Sequence, residues 1–173
     1  MKRFVAITSA VVVAFSLAAC SDSGKDAAST GDTSQTPAQS ETPAPTSTPA
    51  TTSVDLYLPN DSVDGFVVTA ATTDGEPANI VALLVEKKAL PAGCALNSFT
   101  TTGANSAKVD MNAAFGQAMN STGTTGEYMM LGSLVNTLLT YFELEEITLT
   151  IDGQVLETGH SIFDFPLRFY ENF

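Results

Sequence analysis

Along residues 54–173, apolar positions recur with two spacings, and each spacing marks a different kind of element. Val54-Asp55-Leu56-Tyr57-Leu58 alternates as a strand and stops at Pro59, residues 60–65 have turn composition, and residues 66–70 form a second strand. Glu76-Pro77 opens a short helix, with proline at the first helical position and a stripe of Ile80, Leu83 and Leu84 running through Lys88. Leu90-Pro91-Ala92-Gly93 turns the chain into residues 94–102, which pair as a hairpin with residues 107–111. A brief helical piece, 112–119, precedes a Gly/Thr-rich run. The principal helix is predicted over 127–142, where Tyr128, Leu131, Leu134, Val135, Leu138 and Phe142 form one continuous apolar face. Ile147, Leu149 and Ile151 then alternate with threonines, and Asp152-Gly153 is a type I′ turn signal leading into Val155-Leu156. The aromatic-rich residues 159–167 are expected to pack back on the sheet.

Strands, helix, hairpin, helix, hairpin is an α+β order. It predicts a compact two-layer domain in which two main helices cover a mixed β-sheet.

The first fifty residues follow neither period. Lys2 and Arg3 precede an apolar stretch, 4–15, that is well short of the ~20 residues a membrane-spanning helix needs. Small residues follow, so residues 1–19 are a secretory signal peptide. Leu17-Ala18-Ala19-Cys20 resembles the bacterial lipobox, which predicts lipid attachment at Cys20 and anchoring to the cell membrane on its extracytoplasmic face. Residues 21–53 are almost entirely Ser, Thr, Ala, Pro, Gln, Asp and Gly, with no side chain able to build a core. Prolines 37, 43, 45 and 49 stiffen this disordered tether and hold the domain, 54–173, away from the lipid.

Charge narrows the partners. With 19 acidic against 7 basic residues the chain carries −12, which disfavours nucleic acid and anionic lipid. Chemistry is sparse. His160 is the single histidine, and Cys94 is the only cysteine besides Cys20, so polyhistidine metal sites and an internal disulfide are both excluded. No catalytic, metal or cofactor-binding residue is predicted. Asn60, Asp61 and Asp64 before Gly65 miss the spacing of a calcium loop and suit a turn, while Glu143, Glu145 and Glu146 read as a solvated corner. Cys94 is expected to be a mostly buried thiol, and His160 to lie outside any cleft that gathers it with a hydroxyl and a carboxylate.

Taken in order, several segments resemble the GerMN domain of bacterial sporulation and spore-germination lipoproteins. They are Val54-Asp-Leu-Tyr57-Leu-Pro, Leu90-Pro-Ala-Gly-Cys-Ala-Leu, Ala107-Lys-Val-Asp110, Leu134-Val-Asn136-Thr137-Leu138, Ile151-Asp152-Gly153, and Gly159-His160 followed by Pro166-Leu167. The resemblance implies an α/β ring-building fold and a non-enzymatic module that binds a protein partner or self-assembles at the cell envelope, with a link to sporulation or germination. Members of that family often carry two such domains, whereas one is read here, and the 142–146 link is unusually acidic. Two other classes compete with this reading. One is a lipoprotein enzyme acting on cell-wall material through His160, Asp164 or the Glu143 to Glu146 cluster; the other is a small-ligand-binding lipoprotein with an enclosed apolar pocket.

Overall fold

Alternating Val54, Leu56 and Leu58 in a computed structural model describing residues 51–172 belong to β1 (Thr52–Pro59), which pairs antiparallel with β2 (Phe66–Thr73). The signal peptide, Cys20 and residues 21–50 of the tether lie outside the described residues. Val54 and Leu56 are fully buried, as the alternation requires. The connecting loop is closed by Asn60. Its backbone N–H donates to the Gly65 carbonyl at 2.9 Å, and its side-chain amide donates to Asp64 at 2.7 Å. Asn60 and Asp64, two of the three polar residues weighed as a calcium loop, are therefore engaged in shaping a turn.

Within that turn Val63 sits at φ 56, in the left-handed region, and is half-exposed. A β-branched residue there is strained by roughly 1–2 kcal/mol. Val63→Gly is accordingly expected to raise the midpoint of urea unfolding by about 1 kcal/mol of stability, because glycine removes the strain and little packing is lost. An unchanged or lower midpoint would show that the valine is held by contacts worth more than the strain.

Pro77 starts α1 (Pro77–Glu86), which buries Ile80, Val81 and Leu84. β3 (Leu96–Thr101) and β4 (Ser106–Met111) form the first hairpin of the larger sheet. Asn112 caps α2 (Ala113–Asn120) by accepting from the Phe115 N–H at 3.3 Å, and it also ties the approach to β3 through Ala95 and Gly93. α3 (Thr124–Phe142) follows, then β5 (Glu146–Ile151), β6 (Gln154–Glu157) and the two-residue β7 (Ile162–Phe163). The Asp152-Gly153 turn has φ 47 and 78, the two positive values a type I′ turn demands.

The class is α+β, but the layers differ from the simplest expectation. Five strands in the order β3-β4-β5-β6-β7 make a mixed sheet, with β4 and β5 parallel across the α2–α3 crossover. β1 and β2 form a separate two-stranded sheet, and there are three helices among the described residues. α3 also departs from the single apolar face and begins three residues before Glu127. Twelve of its residues between Glu127 and Leu139 are buried, polar ones included. The reason is position: α3 touches β1, β2, α1, α2 and β5, so it is the central post of the domain, not a cover on one side. The last described stretch, 164–172, returns to the body, and Leu167 exchanges two main-chain bonds of 2.9 and 2.8 Å with Ile147. No helix among the described residues is long and apolar enough to cross a membrane.

Candidate functional site

His160 lies in the bend between β6 and β7. Its ring Nδ1 stands 3.0 Å from the Glu127 carboxylate, which is buried in the first turn of α3. The positive end of the helix and the imidazole both face that carboxylate, so the pair fastens the bend to the helix. The sequence pointed to neither the pairing nor the burial of Glu127, because the two residues are 33 positions apart. Cys94 is 7% exposed, and burial pushes its thiol above the ordinary range, away from thiolate chemistry.

The acidic corner disperses into separate contacts. Glu143 ends α3 in the left-handed conformation at φ 54, Glu145 accepts from the Asn105 amide at 2.9 Å, and Glu146 pairs with Arg168 at 3.1 Å. Asp164 is exposed. Among the described residues no three His, Cys, Asp or Glu side chains are grouped to hold a metal ion.

Asp110 joins three parts of the larger sheet. Its carboxylate accepts from the Thr150 hydroxyl at 2.6 Å, the Gly153 N–H at 2.7 Å and the Asn97 amide at 3.1 Å, and Asn97 also reaches Asp152. Desolvation works to raise its pKa, but the bonds from Thr150, Gly153 and Asn97 together outweigh it and hold the carboxyl below the usual range. A depressed folded-state pKa means stability that is present above the unfolded value and lost as pH falls through the folded one. Asp110→Asn is therefore expected to lower stability at pH 7 and to flatten the decline of the unmodified chain below about pH 4. Urea midpoints at pH 7 and pH 3 check this, and parallel losses in both proteins would remove Asp110 from the account.

The most developed surface feature lies beside α3. Gly132 has no side chain because the Phe66 ring occupies the space a Cβ would need. One turn on, the fully buried Asn136 clamps the main chain of Tyr170: its amide donates to the Tyr170 carbonyl and its oxygen accepts from the Tyr170 N–H, both at 2.8 Å. Thr137 accepts from the Tyr57 N–H at 3.0 Å, tying β1 to the same helix. Residues 168–172 thus run as a strap between α3 and β2. The strap is also held by Tyr128, whose hydroxyl donates to the Glu171 carbonyl, and by Asn172, which accepts from the Phe66 N–H. Tyr57 meets Phe169 edge-on at 5.4 Å, and Tyr128 meets Tyr170 at 4.9 Å. A 160 Å³ cavity remains between strap and β2, with Tyr57, Phe66, Val68 and Phe169 on its walls. Val68 and Phe169 are 55% and 43% exposed, and no strand other than β1 pairs with β2 among the described residues.

A family model described as "Germane: Sporulation and spore germination" matches residues 55–157. The chain belongs to this family. The Germane match takes in Asp110, Asn136, Thr137 and the Asp152-Gly153 turn, and it ends before the strap. Among solved structures, the tandem GerMN domains of the sporulation protein GerM from Bacillus subtilis are 17% identical with a TM-score of 0.53, over 69% of this chain and 46% of that one. The chain thus spans about half the length of that tandem structure. The first GerMN domain of the same protein is also similar, at 17% identity and a TM-score of 0.48, covering 69% of this chain and 97% of that domain. No curated protein matches the sequence. At such identities the likeness to the tandem structure shows the Germane fold and nothing finer.

Proposed function

We propose that this chain is a lipoprotein anchored through Cys20 on the extracytoplasmic face of the cell membrane, and that its Germane domain is a non-enzymatic protein-binding or assembly module of the envelope. The observation that carries this reading is the aromatic and aliphatic rim on the free side of β2, where Val68 and Phe169 stay half-exposed beside the long helix. The lipobox, the tether and the family's description as sporulation and spore germination support it. A cell-surface role in sporulation or germination is the process that this family membership favours.

Affinity purification of the lipid-anchored chain from its own membranes tests the reading. Envelope proteins are expected to co-purify with the unmodified chain and to fall at least tenfold with Val68→Asp, whose exposed position leaves the core intact. Equal recovery with the variant, or no enriched protein, would sink it.

One observation favours an enzyme acting on cell-wall material, the 3.0 Å pairing of His160 with buried Glu127. A hydrolytic activity lost in a folded His160→Ala chain would establish that alternative.

A further inference from the structure

Asn136 does to Tyr170 what a receptor does to an extended peptide. It reads one residue's main-chain N–H and C=O together, and the neighbouring aromatic side chains fall to either side of the clamp. The clamp, its Thr137 neighbour and the Phe66 wall all lie inside the 55–157 Germane match, while the strap lies outside it. The groove walls come from α3, β1 and β2, and residues 168–172 occupy the space between them in cis.

That occupant is held from its inner side and faces solvent on its outer side. Arg168 and Phe169 are exposed, whereas the preceding Leu167 is buried and anchored on Ile147, which sets the point about which an opening strap would turn. Its sequence defines what the groove accepts: a cation followed by two aromatics, Arg168-Phe169-Tyr170, with the cation resting on Glu146. The chain's net charge of −12 attracts such a segment and repels a second copy of itself.

We propose that the groove between β2 and α3 is a docking site for an extended protein segment bearing a basic residue followed by two aromatics, and that residues 168–172 hold it shut until such a segment displaces them. The inference rests on the binding reading above and names the chemistry of the partner. Opening leaves the Asn136 amide and the Phe66 N–H to be met by the incoming segment in the same register. Binding in trans must overcome an intramolecular competitor, which lowers the apparent affinity by the fraction of chains that are open.

A fluorescent peptide of residues 165–172 serves as the probe, with anisotropy read on the full chain. Tyr170→Ala weakens the cis strap without touching the groove, and is expected to bind the peptide at least tenfold more tightly than the unmodified chain. A disulfide lock provides the opposite arm. A Cβ built on Gly65 would stand 3.0 Å from that of Asn172, within about half an ångström of the ~3.5 Å lower end for bonded cysteines. Oxidised Gly65→Cys/Asn172→Cys chain should bind at least tenfold more weakly than the same chain reduced. Peptide carrying Arg168→Glu should bind at least threefold more weakly than the parent to every open form.

Equal binding by the oxidised and reduced double variant overturns the proposal, and this comparison stands even if Tyr170→Ala fails to fold. Failure of a folded Tyr170→Ala chain to bind the peptide also overturns it. So does a concentration-dependent dimer of the unmodified chain that the lock abolishes, since the groove would then belong to a second copy. Loss of membrane partners with Val68→Asp alongside any of these results would leave the binding module standing and remove only the displaced-strap mechanism.

Discussion

Asn136→Ala is expected to destabilise the domain by about 3 kcal/mol, an amount that would be a large part of a typical domain's total stability. Two hydrogen bonds to Tyr170 disappear, and the Tyr170 N–H and C=O are left without the partners the structure gives them. Each such orphaned group costs about 1–3 kcal/mol where water cannot reach it, and the residue volume lost from a fully buried position adds a cavity. Thr137→Val tests a single link of the same kind. It keeps the shape and deletes only the acceptor for the Tyr57 N–H, so about 1–2 kcal/mol is expected. Urea unfolding of both variants reads the result. An Asn136→Ala midpoint within error of the unmodified chain would mean that the strap contributes nothing to the folded state.

Replacing Cys20 by Ala is expected to abolish membrane anchoring altogether. Each methylene of an acyl chain buried in the bilayer contributes about 0.8 kcal/mol, so the two chains proposed on Cys20 would suffice to anchor a protein in which no helix among the described residues is long and apolar enough to cross a membrane. Metabolic labelling with a fatty acid, followed by membrane fractionation, measures this. Label retained on the Cys20→Ala chain would place the lipid elsewhere, and unlabelled protein that still sediments with membranes would require a different anchor.

How legible the fold was varied with the range of the interaction that made each element. Pro77 at the first turn of α1 and the Asp152-Gly153 turn are local devices that operate as their sequence neighbourhood predicts, while Asn112, read as the first residue of the short helix, is its cap. The Asn60 loop is likewise settled within six residues. α3 shows where local reasoning stops. Tyr128, Leu131, Leu134, Val135, Leu138 and Phe142 correctly mark a helix, but Ser133, Asn136 and Thr137 on its other sides are also buried. A polar residue inside a helix reads as solvent-facing until something is known to lie against it. Here β1 and the strap lie there, and each brings main-chain groups that Asn136 and Thr137 satisfy.

The amino-acid order alone was enough for the element sequence, the Asp152-Gly153 turn and the α+β class. All of these depend on residues close together in the chain, where spacing and side-chain type carry the physics. The division of the strands into two sheets, the burial of Glu127 against His160, and the groove that Gly132 opens for Phe66 and that the strap fills were settled by tertiary structure. Each brings together residues tens of positions apart. Main-chain hydrogen bonds and shape are nearly the same for every sequence, so no local pattern announces which distant segment will meet them.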